Sequence, residues 1–552
     1  MLPYKKISAI AIPLLAMMVG CTKLDESLKS TLTQEQAKNA LGVNGTQLLL
    51  NAAYVDLAAP FTNQDQVFSL EENASDESLV PTRGGDWDDN GVWRVIHNHT
   101  WNADHAQVLS VFNSLNKLNF DATNVLTFSP TAQQIAEARF LRAYALYYLL
   151  DLYGQYPLRN PGDNLLNAPT VLSGAPAVNF IISELTAALP DLKPSTSASS
   201  TKSIATQDAA KALLMHVYLQ RGAFLNRASP TFASSDLDSV IYYGNQIMTS
   251  GNYSYAANFF DNFNATNGNS PELIWGYANT SGNPVNNAGV DARWMMTLHY
   301  NSYSAQAPNA GWNGFSTISD FYNTFGVNAA GPVATTYSMA DSSLDSRIGL
   351  RAYGATTANS GIRPGMLVGQ QYDAAGNPEN DRKGNLLAFT PTIASNMIET
   401  GNNLEVTGIR VVKYVPDFTD ASGKYYSSNS GNWLVFMRYP DVVLMVAEAQ
   451  MRKGNNAAAL ALVNQLRAAR NAPALTSMTL VNPANVDDPT TLLAERGREL
   501  YWESFRRTDL IRFGVFLTPW QYKPNDDPKN LVYPIPTQAL ASNPNLTQNP
   551  GY

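Results

Sequence analysis

Apolar residues recur at helical spacing in two separated stretches of the chain, while the segment between them follows no period. From Gln134 to Tyr153 (QIAEARFLRAYALYYLLDLY) no helix breaker occurs, and only Glu137, Arg139, Arg142 and Asp151 interrupt an apolar surface. A helix apolar nearly all round belongs inside a bundle. The alanines at 136, 138, 143 and 145 would let its neighbours approach closely. Asn179 to Leu189 predicts a further amphipathic helix, closed by Pro190. Thr206 reads as an N-cap for a helix with Ala210, Leu213, Leu214 and Val217 on one face that stops at Gly222. Asp236 to Ser250 aligns Val240, Tyr243, Gly244 and Ile247, and Gly251 ends it. The pattern returns after Tyr439: Asp441 to Arg452, a turn at Lys453-Gly454-Asn455, then Asn456 to Arg470 with Leu460, Val463 and Leu466 in one stripe.

Helix pairs of this length with small residues at their contacts are similar to degenerate tetratricopeptide units. Residues 252–435 have another character: short apolar runs, Glu272 to Tyr277, Gly408 to Val415 and Trp433 to Met437, between clusters of Asn, Gly, Pro and Ser. Loops this long in a compact chain usually carry function. The pattern predicts a mainly α scaffold made from both ends of the sequence, with an irregular, loop-rich subdomain containing short strands inserted between its halves.

The N-terminus adds an address. Lys5 and Lys6 precede an apolar run from Ile7 to Met18, and Val19-Gly20-Cys21 closes it. This is the form of a secretory signal peptide, residues 1–20, ending in a bacterial lipobox, with lipidation expected on Cys21. The run is shorter than the roughly 20 residues a membrane-spanning helix needs. Two or more acyl chains suffice for stable anchoring. The following Thr22-Lys23-Leu24-Asp25-Glu26 is similar to the Lys-plus-acidic tag that sends Bacteroidetes lipoproteins to the cell surface.

Cys21 is the only cysteine, so stability must come from a packed core instead of disulfides. Formal charge is 37 − 45 = −8, and 35 − 45 = −10 without residues 1–20, which argues against a nucleic-acid partner. Charged residues are sparse at 15%, whereas 27 Tyr, 21 Phe and 9 Trp are set among uncharged polar loops. Ring faces cover the C–H face of a sugar while amides meet its hydroxyls, so this mixture suits neutral polar ligands.

Three constellations bear on enzymatic chemistry. His97-Asn98-His99 with Asp104-His105 has metal-ligand residue types, but the Asp-His lies too far from the second histidine for the binuclear zinc pattern, and hydrogen-bonded structural histidines are expected. Glu71, Glu72, Asp76, Glu77, Asp86, Asp88 and Asp89 crowd one stretch; a pair could serve glycoside hydrolysis, although solvated loop acids or ligands for sugar hydroxyls are the simpler expectation. In the run Leu493 to Gly514, Glu495 faces Arg498 and Glu503 faces Arg506 and Arg507 at helical spacing, as an ion-pair network locking a helix onto the bundle would. No Walker loop, dinucleotide fingerprint or GxSxG elbow occurs, so no cofactor is expected.

The strings ERGRELYWESFRRTDLIRFG, FMRYPDVVLMVAEAQ (Phe436 to Gln450), AEARFLRAYALYYLLDLYGQYPL (Ala136 to Leu158) and YPIPTQALASNPNLTQNPGY (Tyr533 to Tyr552) closely resemble the SusD/RagB family of outer-membrane nutrient-binding lipoproteins. The resemblance covers essentially the whole mature chain. It implies a SusD-like scaffold of tetratricopeptide-type helix pairs, an N-terminal region over 21–222 and a C-terminal region over 223–552 that holds the irregular insert. It also implies a loop-built ligand face, no catalysis, and a SusC-like TonB-dependent β-barrel to which oligosaccharides, or peptides in some members, are delivered. The family has no invariant binding triad, so site residues must come from the loops themselves. Pro81 to Trp93 offers Trp87 and Trp93 among glycines, with Arg83, Asp86 and Asp88 able to bond hydroxyls. Arg293 to Phe315 offers Trp294, Tyr300, Tyr303 and Trp312. Trp87, Trp294 and Tyr303 are the expected stacking residues. A glycoside hydrolase, or a scaffold whose grooves bind only proteins, are the competing functions.

Overall fold

The computed structural model describes residues 44–281, 288–301, 311–325, 345–349, 364–373, 377–417, 430–524 and 526–552. Cys21 with its lipobox, the acidic tag and Tyr303 lie outside them. No helix among the described residues is long and apolar enough to cross a membrane.

Seven helices stack in sequence: α1 (Ala106–Thr127), α2 (Ala132–Tyr153), α3 (Gly174–Ala188), α4 (Gln207–Leu225), α5 (Ser234–Met248), α6 (Tyr439–Arg452) and α7 (Asn456–Ala469). Each packs mainly on the one before and the one after. The α5–α6 contact joins elements on either side of residues 249–438, so the two ends of the chain build one scaffold as expected. That contact is close because Gly244 lacks a side chain: a Cβ there would lie 2.2 Å from Val446.

The helix that reads as apolar all round, α2, is buried from Ala136 to Tyr153 except at Arg139. Thr131 starts it with a capping box, its hydroxyl accepting from the Gln134 N–H at 3.3 Å while the Gln134 carboxamide accepts from the Thr131 N–H at 3.0 Å. Gly154 ends it at φ 72°. Thr206 caps α4 as expected, accepting from Ala209 N–H. Gly222 does not end α4, which runs on to Leu225. It is a contact point, where a Cβ would fall 1.6 Å from the Thr231 carbonyl oxygen.

The strands are short and form two-stranded sheets. β1 (Thr82–Arg83) pairs in parallel with β8 (Ile398–Glu399). β2 (Gln155–Leu158) and β3 (Thr170–Ser173) form a hairpin. β4 (Leu273–Tyr277) pairs antiparallel with β10 (Leu434–Arg438), β5 (Gly365–Leu367) with β9 (Arg410–Val412), and β6 (Gly369–Gln370) with β7 (Ala388–Phe389). The three apolar runs read from the insert thus contain β4, β9 and β10, and the β4–β10 ladder closes the neck of the insertion. Trp275 of β4 fastens it to the scaffold, its ring edge-on to Phe140 and Tyr144 of α2 at 4.8 Å each.

The charged C-terminal run folds as two helices, α8 (Leu492–Leu500) and α9 (Arg506–Arg512). Left-handed Trp502 (φ 59°) and Ser504 (φ 67°) lie in the turn between them. Glu495 does pair with Arg498, at 2.6 Å, and also with Arg467 and Arg347. Glu503 does not meet Arg506 or Arg507, because the turn points it elsewhere: it receives Lys413 at 2.5 Å and Arg438 at 2.6 Å. Arg506 instead grips Asp76 through two bonds of 2.6 Å, and Arg507 meets Asp151 at 2.9 Å. Glu499 receives Arg470 at 2.8 Å and Arg438 at 2.5 Å. These groups are almost entirely buried, so each charge depends on its partners. The network ties the 71–77 segment, the insert and the scaffold together through α8 and α9.

Candidate functional site: an aromatic platform on two loops

Two loops distant in sequence meet at the surface. In the first, Arg83 and Asp86 bond each other's backbones at 2.9 and 3.3 Å, and Trp87, Asp89, Asn90 and Gly91 all take positive φ. This tight winding carries the Trp87 ring outward from β1. The second loop is pinned beneath it: the N–H groups of Trp312, Asn313 and Gly314 donate to the carbonyls of Met295, Leu298 and Met296 at 2.7, 2.8 and 2.9 Å. The Trp87 indole N–H donates to the Trp312 carbonyl at 2.8 Å. Its ring packs edge-on to Trp93 and Phe315 and lies 6.5 Å from that of Trp312.

Gly314 is where the two loops touch. A Cβ on it would sit 2.4 Å from the Trp87 ring, a rigid group with Phe315 behind it. Overpacking of this kind costs about 1–3 kcal/mol. Gly314→Ala is therefore expected to displace Trp87 and change its fluorescence while lowering the melting temperature by a few degrees; an unchanged emission spectrum would mean that the rings are not held against one another.

Tyr300 forms the third wall. Its hydroxyl donates to Asp86, and the Arg382 guanidinium lies 3.7 Å above its ring. Burial, then the hydrogen bond to Asp86, push the phenol up to about 12, so it remains a donor at neutral pH. Arg382 is held in place by Glu405 at 2.9 Å, whose other oxygen lies 2.8 Å from His299 Nε2. His299 Nδ1 accepts from the Asn301 N–H at 3.0 Å, which leaves the proton on Nε2 to donate to Glu405. The ring is accordingly neutral, and burial pulls it down to about 4. Although burial raises Glu405, its bonds from Arg382 and His299 hold it below the usual carboxylate range.

Both shifts have the same sign for stability. Below the ordinary histidine value near 6.5 the unfolded chain takes up a proton that folded His299 refuses. Stability attributable to this group is full above that value and declines as pH falls to about 4, where Glu405 begins to add to the loss. The melting temperature should fall over this window, and His299→Gln should flatten the slope; a parallel curve for the variant would contradict the neutral assignment.

The remaining sequence-selected residues divide by exposure. Trp312 is 36% exposed, Trp87 half-buried, Asp86 exposed, and Asp88 lies at the surface with Arg94 3.0 Å away. Trp294 is 0% exposed, so the expectation that it stacks on a ligand is corrected: the short helix it occupies (Ala292–Met295) turns its indole into the core. Trp93 is also buried and donates to Asp89 at 2.7 Å. Arg83 is not free for hydroxyls, because it is buried and donates to the Thr407 carbonyl at 2.8 Å and the Thr407 hydroxyl at 3.0 Å. Arg382 and Glu405 are contributions that sequence reading missed; each lies about as far along the chain from Tyr300 as a domain is long, and neither has a local signal.

Four of the seven clustered acids and the three clustered histidines are built into the fold, whereas Asp86, Asp88 and Asp89 stay at the surface. Glu71, Glu72, Asp76 and Glu77 are neither solvated nor open to a substrate; all four are at most 1% exposed, in or just beyond a single π-helical turn, Ser69–Asn73. The histidines hold backbone: His97 lies against the Ser78 and Gln521 carbonyls at 3.1 Å each, His99 against the Ala74 carbonyl at 2.9 Å, and His105 against that of Val92 at 3.1 Å. No group of residues suited to a metal ion occurs among those described.

A stacked helical scaffold thus carries two surface loops whose aromatic rings meet. Residues 232–527 match the model of the SusD family, and the chain belongs to that family. Residues 24–219 match a second model, described as starch-binding associating with outer membrane. The starch-binding protein SusD of Bacteroides thetaiotaomicron is 25% identical over 512 residues, covering 88% of this chain and 85% of that one. Among solved structures, a SusD superfamily protein from Parabacteroides distasonis superposes with TM-score 0.66 at 17% identity, covering 95% of this chain and 100% of its own. Surface glycan-binding protein A of Bacteroides thetaiotaomicron, in complex with laminarihexaose, gives 0.62 at 17% identity, with 92% and 99% covered.

Proposed function

We propose that the protein binds a neutral oligosaccharide at the Trp87, Tyr300 and Trp312 platform and does not cleave it. The carrying observation is the platform itself: two indoles and a phenol brought to one surface from two loops, with Asp86 and Asp88 beside them. Stacking on ring faces needs no charge, and flanking acids accept hydroxyl protons. The starch- and laminarihexaose-binding relatives support a glycan as the ligand class.

In this reading the mature chain begins at a lipidated Cys21, is held at the outer membrane facing outward, and passes its ligand to a SusC-like TonB-dependent barrel. The family description of outer-membrane association supports the location. Titration calorimetry against starch, β-glucan and other neutral oligosaccharides should give heat with at least one, with no new reducing ends after prolonged incubation. Heat from peptides alone would transfer the function to a peptide carrier, and release of reducing ends would make the protein a hydrolase.

A further inference from the structure

One side chain beside the platform is held more firmly than its exposure requires. Arg382 keeps half of its side-chain surface in solvent, and an arginine so exposed ordinarily samples many rotamers. Here three contacts fix it. Its Nε donates to Glu405 Oε1 at 2.9 Å, its backbone N–H donates to Glu405 Oε2 at 3.1 Å, and its guanidinium lies 3.7 Å above the Tyr300 ring. Glu405 is buried and bonded in turn by His299, so the clamp is anchored in the core. It uses only Nε of the three guanidinium nitrogens. Nη1 and Nη2 have no hydrogen-bond partner among the described residues and remain as a fork of donors, immobilised before any ligand arrives.

The charges around the fork narrow what it receives. Asp86 is exposed, adjoins Trp87 in the chain and accepts from the Tyr300 hydroxyl through Oδ2, while its Oδ1 has no partner among the described residues. With Glu405 already neutralising the guanidinium and Asp86 repelling a second anion, the fork is set for neutral oxygens instead of a carboxylate. Two parallel N–H donors match two neighbouring oxygens on one ring, and the free Asp86 oxygen takes a hydroxyl proton. We infer that Arg382 sets the linkage preference of the platform: its Nη groups donate to an adjacent pair of hydroxyls on a sugar stacked at Trp87 and Trp312. The inference rests on the proposed glycan platform and names the glycans it selects. Residues inside a 1,4-linked chain keep O2 and O3 free side by side. Those inside a 1,3-linked chain give O3 to the linkage and keep no two hydroxyls on neighbouring ring carbons. A site built to bond a hydroxyl rejects the analogue that lacks it, so 1,4-linked chains are preferred over 1,3-linked ones.

Calorimetric affinities for maltohexaose, cellohexaose, 1,4-linked mannohexaose and xylohexaose, each beside laminarihexaose, test it in wild type, Arg382→Gln and Trp312→Ala protein. At least one 1,4-linked chain should bind wild type about tenfold or more tightly than laminarihexaose, the worth of one well-made hydrogen bond to a charged donor. Arg382→Gln should abolish most of that ratio by weakening the 1,4-linked ligand alone, and Arg382→Lys, which keeps the charge without the fork, should not restore it. A mere prop for Tyr300 would weaken both ligands together, so an unchanged ratio in Arg382→Gln overturns the assignment. Tighter binding of laminarihexaose to wild type overturns it too, as does tighter binding of hexagalacturonate than of every neutral chain, which would give the fork to a carboxylate. Failure of the platform reading looks different: no heat with any neutral chain, or affinities that Trp312→Ala leaves unchanged, removes the platform and this inference with it. A Trp312-dependent affinity with an Arg382-independent ratio removes this inference alone.

Discussion

Replacing Trp312 by alanine is expected to weaken oligosaccharide binding about 10- to 100-fold while leaving the fold nearly as stable as before. The ring is 36% exposed, and its backbone is held independently of its side chain by the Met295 carbonyl. Truncating an aromatic anchor at the centre of a contact typically costs about 2 kcal/mol or more of binding energy. Trp87→Ala should cost more, because it removes a stacking face and also the indole bond to the Trp312 carbonyl that joins the two loops. Trp294→Ala should behave in the opposite way. A wholly buried indole leaves a cavity when removed, and such losses run about 3–5 kcal/mol. Calorimetric affinity measured beside the melting temperature separates the two behaviours; a Trp294→Ala protein that melts normally but binds weakly would place that ring at the ligand after all.

The largest expected effect on stability comes from Arg506→Ala. Its guanidinium holds Asp76 bidentately, with Glu77 3.7 Å away, and all three side chains are at most 2% exposed. Removing one partner of a buried pair leaves the other charge uncompensated, at a cost of about 3–5 kcal/mol. Burial, then the charge of Glu72, already push the Glu77 carboxyl well above its usual range, and Arg506 opposes that rise. The variant should unfold at markedly lower denaturant concentration. Arg506→Lys should recover only part of the loss, because a point charge cannot make both bonds to Asp76. Equal midpoints for wild type and Arg506→Ala would show the pair to be dispensable.

What the sequence revealed was local. The apolar circumference of α2 and the cap at Thr206 are written in neighbouring residues, and the structure keeps them. α1 escaped notice although it is as long as α2: Val108, Val111, Leu115, Leu118 and Val125 have helical spacing, but the intervening asparagines and threonines are poor helix formers. Its stability comes from the α2 surface it covers. Glu503 illustrates a second limit. Helical spacing pairs it with Arg506 and Arg507, but the left-handed turn at Trp502 and Ser504 breaks the helix and gives it Lys413 and Arg438 instead. The platform marks a third. Trp294 is followed by Met295 and Met296 and turns inward with them, whereas Trp312, between Gly311 and Asn313, stays partly exposed. Arg382 reaches Tyr300 from a different hairpin, so no window of sequence contains both.

The position of a bound oligosaccharide tests the central claim most directly. A crystal structure of the protein with a glycan chosen by calorimetry should show pyranose rings on the exposed faces of Trp87 and Trp312, with hydroxyls near Tyr300 and Asp86, and an uncleaved chain. A glycan bound elsewhere with the platform empty, or a cleaved product beside the surface acids Asp86 and Asp88, would contradict it.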